Sequence, residues 1–255
     1  MGDYAYTDRE YVEVFHLLFL AQIGRKVDKR FYALKGGCNL RFFLKSPRYS
    51  EDMDLDAKEI PVHVLRDKVN GILKSEPFAQ ILLARGIRLD HVNDDKQTQT
   101  TQRWKLGLVV PQRERPLPTK IEFSRRDMGQ GVKFEAIDPA LVNHYQLQPL
   151  MTAHYDRDAA YAQKIGALID RKEVQARDVF DLDLLLRSGA KPGHLPAKLR
   201  ARMGDARDSL MAVDFDAFAG QVLAYLPPDE QAACDKESWD ALRLRVLAAL
   251  EEAEK

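Results

Sequence analysis

The sequence predicts an α+β fold, in which a mixed β-sheet with flanking helices is followed by a helical bundle. Segments with strand-like patterns concentrate before residue 138, and segments with helical periodicity dominate after residue 139. A third observation is the pair Gly36-Gly37, which separates a short apolar run from an alternating acidic segment. Together they predict an α+β domain over residues 1–138 and a helical domain over residues 139–255.

In the first domain, apolar residues at helical spacing predict a largely buried helix over Tyr11 to Ile23, and a proline near the start of Pro61 to Lys74 supports a second helix. A short helix is predicted over Asn39 to Lys45. Strands are predicted at Phe31 to Leu34, Asp52 to Asp56, Gly86 to Val92, Gln102 to Val110, Thr119 to Ser124 and Phe134 to Ile137.

In the second domain, glycines and prolines near residues 189–193 and 227–228 separate segments of helical periodicity. Helices are predicted over Arg157 to Asp170, Val174 to Ser188, Ala197 to Met211, Phe215 to Tyr225 and Glu237 to Ala253. Two histidines near the start of this domain, His144 and His154, are predicted to be ordinary loop or surface residues.

Composition excludes several classes of protein. Lys and Arg together number 39, as do Asp and Glu, so no global positive field attracts nucleic acid, and such a partner needs a local basic patch. The two cysteines, Cys38 and Cys234, make neither a disulfide framework nor a zinc site. No apolar run approaches the roughly 20 residues of a membrane span, and the first residues lack the positive charge typical of a signal peptide, so we expect none. We expect a cytoplasmic protein without a membrane partner.

The acidic segment carries the strongest chemical signal. Asp52 and Asp54 alternate with apolar residues, so their Cα atoms lie roughly 6.6 Å apart on one strand face, whereas Asp56 lies roughly 13 Å from Asp52. Carboxylate oxygens are the ligands that Mg²⁺ prefers. Glycines at 36 and 37 allow close approach of a phosphate, and the N-terminus of the following helix favours an anion, with Arg41 in its first turn. Alone, each feature is more often a plain turn or a solvated strand face.

The segments Leu34 to Arg41 and Arg48 to Leu55 resemble the opening motifs of the AbiEii/AbiGii-type toxin nucleotidyltransferases, within the DNA polymerase β-like superfamily. The resemblance implies that the glycines and the next residue bind nucleotide phosphates, together with Ser50, and that Asp52 and Asp54 bind metal. Cys38 departs from the family's usual hydroxyl residue, and a thiol is a weaker hydrogen-bond donor.

The superfamily usually carries a third acid on a neighbouring strand, and Glu122 fits that description. In the segment Lys120 to Ser124, Ile121 and Phe123 are predicted to face the core, while Glu122 faces the acidic strand. Glu122 is therefore the candidate third metal ligand and general base. A charged strand surface is the alternative interpretation, and Glu135 and Asp90 are weaker candidates.

Two later motifs also resemble the family, a lysine-led helix at Lys164 and the pair Arg177-Asp178. The resemblance implies that Lys164 contacts the nucleotide phosphates and that Asp178 lies near the active site, where it orients Lys164 or the acceptor. From the residues alone, a lysine such as Lys164 is more often a surface residue, and an acid such as Asp178 more often compensates a helix dipole.

We therefore expect a toxin that transfers a nucleoside monophosphate from an NTP to an acceptor with Mg²⁺ or Mn²⁺. The resemblance implies RNA such as tRNA as the acceptor and a cognate antitoxin encoded nearby. A small-molecule or protein acceptor and a non-catalytic NTP-binding module remain open. Two basic clusters are candidate RNA contacts or solvated faces: Lys198, Arg200, Arg202 and Arg207, and Arg113, Arg115, Arg125 and Arg126.

Overall fold

The computed structural model describes residues 6–126 and 128–254, and this part of the chain divides into two compact units. The first comprises the chain up to Phe43 together with Tyr49–His154. The second comprises Leu44–Arg48 together with the chain from Tyr155 onward. The predicted domain boundary at 138/139 stays a prediction of how the chain is organised.

The first unit is built on a mixed sheet with the strand order β3-β4-β5-β2-β1-β7-β6. At its centre, β2 runs antiparallel to β1 and parallel to β5. The seven strands of the described residues are β1 (Tyr32–Lys35), β2 (Asp52–Ala57), β3 (Arg88–Gln97), β4 (Thr101–Val109), β5 (Leu117–Ser124), β6 (Val132–Ala136) and β7 (Met151–Tyr155). The predicted α+β class is therefore confirmed.

Five helices accompany this sheet: α1 (Asp8–Lys26), α2 (Gly36–Phe43), α3 (Val62–Leu73), α4 (Glu76–Leu83) and α5 (Pro139–His144). Thr7 caps α1 through a reciprocal capping box with Glu10, which satisfies two backbone donors at the helix start. Most apolar residues of α1 are buried, and Phe15 and Phe19 are completely so. Helix α1 packs on α3 and on the central strand β5, so it covers part of one face of the sheet.

The second unit is helical, with α6 (Arg157–Asp170), α7 (Ala176–Arg187), α8 (Ala197–Arg200), α9 (Met203–Met211), α10 (Phe215–Gln221), α11 (Pro228–Ala232) and α12 (Lys236–Glu254). Helix α7 packs on α6 and α12. The buried rings of Phe218 and Trp239 stack with centroids 4.5 Å apart. A helical second part is thus present, as the sequence predicts.

Several predicted boundaries are wrong. Helix α2 begins at Gly36 rather than near Asn39, so Arg41 lies in its last turn instead of its first. The predicted helix over Ala197 to Met211 is two helices, because Arg202 leaves helical geometry (φ −119°, ψ 22°) and its guanidinium binds Asp170 and Asp205.

Two strands also differ from the prediction. Strand β3 extends to Gln97 because it pairs with β4 at the sheet edge, where its mostly exposed side chains show no apolar alternation. Strand β7 was not predicted, and it carries His154. That histidine is buried rather than on the surface: its ring stacks on Phe43 at 3.5 Å, and its Nδ1 lies 3.0 Å from Asn39 Oδ1.

Among the helices of residues 6–126 and 128–254, none combines the length and apolar character that crossing a membrane requires.

Candidate active site

The helix start at Gly36 lies directly against the acidic strand. Gly36 has a φ of +67°, in the left-handed region that favours glycine, and a Cβ added there would lie 3.2 Å from Asp54 Oδ2. The first amide groups of α2 have no carbonyl partner within the helix. Glycine at this position therefore brings a set of backbone donors beside the Asp54 carboxylate.

Three carboxylates share one face of the sheet. In the parallel register of β2 and β5, Asp54 pairs with Glu122 and Asp52 with Lys120. The alternating residues Met53, Leu55, Ile121 and Phe123 are completely buried, so Asp52, Asp54 and Glu122 project from the opposite face. The predicted alternation and the predicted neighbourhood of Glu122 are both present in this register.

Cations of the protein itself hold the two outer carboxylates. Lys120 Nζ lies 2.9 Å from Asp52 Oδ2, and Arg103 Nε lies 2.6 Å from Glu122 Oε2. Asp54 stands between these pairs. Its pKa is raised above the usual value by burial, against the opposing charge of Lys120, and raised further by Asp52 and Glu122. Additional positive charge at Asp54 would relieve that repulsion.

The chemistry of these donors fits a hard divalent cation, because all three offer carboxylate oxygens. Across the described residues, however, no three His, Cys, Asp or Glu side chains already converge as a metal site. In this arrangement the carboxylates of Asp52 and Glu122 face lysine and arginine instead. Asp56 is similarly engaged, because its buried carboxylate forms an ion pair with the partly exposed Lys35.

The second unit contains a buried charge cluster around Lys164. Its Nζ lies 2.8 Å from Asp178 Oδ1 and 2.6 Å from Asp181 Oδ2. Arg171 pairs with Asp178 at 2.8 Å, and Arg48 pairs with Asp181 at 2.9 Å. Both aspartate side chains are fully buried. Burial alone would lower the pKa of Lys164, but the charges of Asp181 and Asp178 outweigh it and raise that pKa. The ammonium therefore remains charged.

A family model described as "Nucleotidyl transferase AbiEii toxin, Type IV TA system" matches residues 18–252. The chain belongs to the AbiEii nucleotidyltransferase toxin family. The resemblance to this family, which the sequence motifs predict, is thereby confirmed. A comparison with curated proteins found no match.

Solved structures show the same fold as this AbiEii family member. JHP933 from Helicobacter pylori has a TM-score of 0.64 at 17% identity, covering 98% of this chain and 93% of that chain. A putative nucleotidyltransferase from H. pylori has a TM-score of 0.62 at 19% identity, covering 100% and 96%. MenT4, a nucleotidyltransferase toxin from Mycobacterium tuberculosis, has a TM-score of 0.62 at 17% identity, covering 97% and 94%.

The thiol of Cys38 points into the core of this family member. The residue is 1% exposed, and its Sγ lies 3.3 Å from the carbonyl oxygen of Asp52, which also accepts the Ser50 hydroxyl at 2.8 Å. Burial raises the pKa of the Cys38 thiol well above its ordinary value. The side chains of Cys38 and Ser50 thus fix the start of β2, and a phosphate at this turn would meet the backbone of residue 38.

His16, which the sequence analysis did not single out, joins the same buried network. Its Nδ1 lies 3.6 Å from Cys38 Sγ, and its Nε2 lies 2.8 Å from Thr119 Oγ1. Thr119 donates its only hydroxyl proton to the Glu51 carbonyl at 2.7 Å. The His16 Nε2–H must therefore be the donor to Thr119. Burial lowers the pKa of His16 to about 3, so the ring stays neutral at physiological pH.

Arg41 is engaged with protein groups. Its Nε lies 2.8 Å from Glu13 Oε1, and its guanidinium lies over the ring of Tyr49 at 4.4 Å. Glu13 is buried and also accepts the Tyr145 hydroxyl at 2.7 Å. The predicted phosphate contact of Arg41 stays a prediction, and these contacts give the side chain a role in joining α1 to α2.

The predicted residues fall into two groups. Gly36, Asp52, Asp54 and Glu122 meet in the first unit, while Lys164 and Asp178 meet in the second. Sequence reasoning missed four partners, namely Arg103, Asp181, Arg48 and His16. Asp181 lies one helical turn after Asp178, which was a usable signal. The others are distant in sequence from the residues they contact, and only the fold brings them together.

Gly36→Ala tests the close approach of helix and carboxylate. We expect the free energy of unfolding to fall by about 1–2 kcal/mol, because alanine is strained at positive φ, and we expect nucleotidyl transfer to fall with it. Gly71→Ala is the matched control, since Gly71 lies within α3 with open space around it. This change should raise stability by about 0.5–1 kcal/mol. Equal effects of the two variants in denaturant titrations would contradict the assignment.

Asp178→Ala tests the buried cluster. Removing one carboxylate leaves Lys164 and Arg171 with less opposing charge, and we expect a loss of about 3 kcal/mol in the free energy of unfolding. Asp170→Ala removes an exposed partner of Arg202 in the same unit and should cost under about 1 kcal/mol. Thermal and denaturant unfolding would measure both. Similar losses would show that the cluster is not held as described.

Cys38→Ser tests whether the thiol matters as such. A serine hydroxyl can donate to the Asp52 carbonyl as well as the thiol does, so we expect transfer activity to be preserved or raised. Cys38→Ala lacks the donor and should be less active than Cys38→Ser. A large loss of activity in Cys38→Ser, with the fold intact by circular dichroism, would give the thiol a role of its own.

Proposed function

We propose that the protein transfers a nucleoside monophosphate from a nucleoside triphosphate to an acceptor hydroxyl and releases pyrophosphate. The observation that carries the proposal is the shared face of Asp52, Asp54 and Glu122, with the Gly36 helix start against Asp54. Membership of a nucleotidyltransferase toxin family supports the same chemistry.

In this reaction the acceptor oxygen forms a bond to the α-phosphorus, and the bond from that phosphorus to the bridging oxygen breaks. Backbone amides at Gly36, Gly37 and Cys38 would hold the phosphates through the helix start. Lys164 would neutralise phosphate charge, with Asp178 as its positioning residue. The Glu122 carboxylate would accept the proton of the hydroxyl group.

Asp52, Asp54 and Glu122 would hold Mg²⁺ or Mn²⁺. The fit rests on three oxygen donors on neighbouring strands and on the raised pKa of Asp54, which is caused by burial and increased by the charges of Asp52 and Glu122. When bound, the metal supplies positive charge at the phosphate oxygens and at the attacking hydroxyl.

We propose RNA, such as the acceptor end of tRNA, as the substrate that is modified. The resemblance to the family supports it, and so does exposed basic surface at Lys198 and Arg200 in the second unit. Other members of the basic clusters are already paired with acids: Arg202 with Asp170 and Asp205, Arg207 with Glu254, and Arg113 with Asp8. The RNA contact would therefore involve only part of each cluster.

The family's description places it in type IV toxin–antitoxin systems. We accordingly propose that the protein acts in the cytoplasm as a toxin whose cognate antitoxin is encoded nearby. Expression with and without the neighbouring reading frame tests this, because the toxin alone should arrest growth and the pair should not.

Incubation with each α-labelled NTP, Mg²⁺ and total cellular RNA tests the reaction. We expect label in the RNA fraction for a subset of the four nucleotides, together with pyrophosphate release. Parallel incubations with small-molecule and protein fractions complete the test. Label appearing only there would reject RNA as acceptor, and tight nucleotide binding without pyrophosphate release would reject catalysis.

Asp52→Ala and Asp54→Ala should each lower transfer by at least about a hundredfold, since each removes charge that matters mainly in the transition state. The melting temperature should change little, or rise in Asp54→Ala, because the folded-state pKa of Asp54 is raised. A raised pKa means that the folded state holds the proton of Asp54 more tightly than the unfolded state does. The charged carboxylate therefore lowers the free energy of unfolding at pH values above the unfolded-state pKa.

Asp56→Ala is the control for the same strand and the same face. It breaks the partly buried ion pair with Lys35, so we expect lower stability and retained transfer below the melting temperature. Near-normal activity in Asp52→Ala or Asp54→Ala would show that the metal assignment is wrong.

A further inference from the structure

The acidic face contains cations in register with its carboxylates. Lys120 lies opposite Asp52 on the neighbouring parallel strand, and Arg103 lies opposite Glu122. Their side-chain nitrogens lie 2.9 Å and 2.6 Å from the carboxylate oxygens. Both cations are about a quarter exposed, so the pairs lie at the border of the solvent. They are part of the site itself.

An ammonium group and a divalent ion compete for the same oxygen. A metal ion that binds the Asp52 carboxylate would lie close to Lys120 Nζ. The two positive charges would repel each other. Lysine is suited to exchange, because a compact ammonium on a four-carbon stem can move by rotation alone. The anchoring backbone of β5, flanked by the buried Ile121, need not move.

We propose, on the basis of the proposed function, that Lys120 is an exchangeable counterion. It neutralises Asp52 until Mg²⁺ binds, and it then turns to the phosphates of the nucleotide. Lys120 would thereby weaken the binding of free Mg²⁺ and strengthen the binding of triphosphate, so that metal and nucleotide bind together.

The charges of the face support this exchange. Apart from the neutral Asp56–Lys35 pair and the exposed Lys105, the face carries three negative charges, on Asp52, Asp54 and Glu122, and two positive charges, on Lys120 and Arg103, which leaves one negative charge. One Mg²⁺ changes that sum to one positive charge, so the released ammonium has no carboxylate left to neutralise. A triphosphate then provides the nearest excess of negative charge.

Lys105 provides a matched control. It lies beside Lys120 in the register of β4 and β5, so it carries the same charge on the same face. It is exposed, whereas Lys120 is half-buried against Asp52. Replacing Lys105 removes general positive potential, and replacing Lys120 also removes the competitor for Asp52.

Isothermal titration with Mg²⁺ alone, followed by inorganic triphosphate at saturating Mg²⁺, tests the proposal without turnover. We expect Lys120→Met to bind Mg²⁺ about fivefold more tightly than the wild type, the size of one partly exposed ion pair. It should bind inorganic triphosphate about fivefold more weakly. Lys105→Met should change Mg²⁺ affinity by less than about twofold. A mere structural defect would weaken both ligands.

The proposal is overturned if Lys120→Met binds Mg²⁺ no more tightly than Lys105→Met does, or if it binds triphosphate as the wild type does. Circular dichroism and melting curves establish that each variant is folded. The proposed function fails by a different result, which is transfer of label by Asp54→Ala. If transfer depends on Asp54 while Lys120→Met shows no gain in Mg²⁺ affinity, only the exchange is wrong.

Discussion

The parallel pairing of β2 with β5 is the constraint on which the candidate site depends. It fixes which residues are neighbours, so that Asp54 lies opposite Glu122 and Asp52 opposite Lys120. A shift by one residue would turn every carboxylate into the core and every apolar side chain outward. The fully buried Met53, below the acidic face, shows how strongly packing opposes such a shift. The proposed metal binding, phosphate binding and counterion exchange all use this one register.

Hydrogen bonds beneath the sheet reinforce that register. The carbonyl groups of Glu51 and Asp52 accept hydrogen bonds from Thr119, Ser50 and Cys38 at the point where β2 begins. A buried neutral His16 donates its Nε2–H to Thr119, and its Nδ1 lies 3.6 Å from the Cys38 thiol. Because buried polar groups are costly when they lose a partner, the network opposes fraying of the strand that carries the carboxylates. The proposed chemistry on one face of the sheet therefore depends on a strand that is held in place by polar contacts on the other face.

Sequence patterns could predict the parts of the fold that repeat with a regular period. The alternation around Asp52 and Asp54, and the segment containing Glu122, located two strands whose pairing brings the acids together. The sequence does not predict strand β7, because the strand is short and is buried by elements distant in sequence. The buried His154 is the clearest example. The start of α2 was misplaced because a glycine with positive φ opens the helix. Long-range partners such as Arg48 have no local signal.

Arg48 belongs to the helical unit, and this has a consequence for how the protein can be divided into fragments. Residues 44–48 belong to the helical unit, although the chain on both sides of them belongs to the other unit. A fragment beginning at Tyr155 would lack the guanidinium that pairs with the fully buried Asp181. The helical unit is thus discontinuous in sequence, and exchanging only the C-terminal segment between homologues would not transfer the whole unit. Recombination that separates the two segments would break the charge cluster around Lys164, so both are expected to be inherited together.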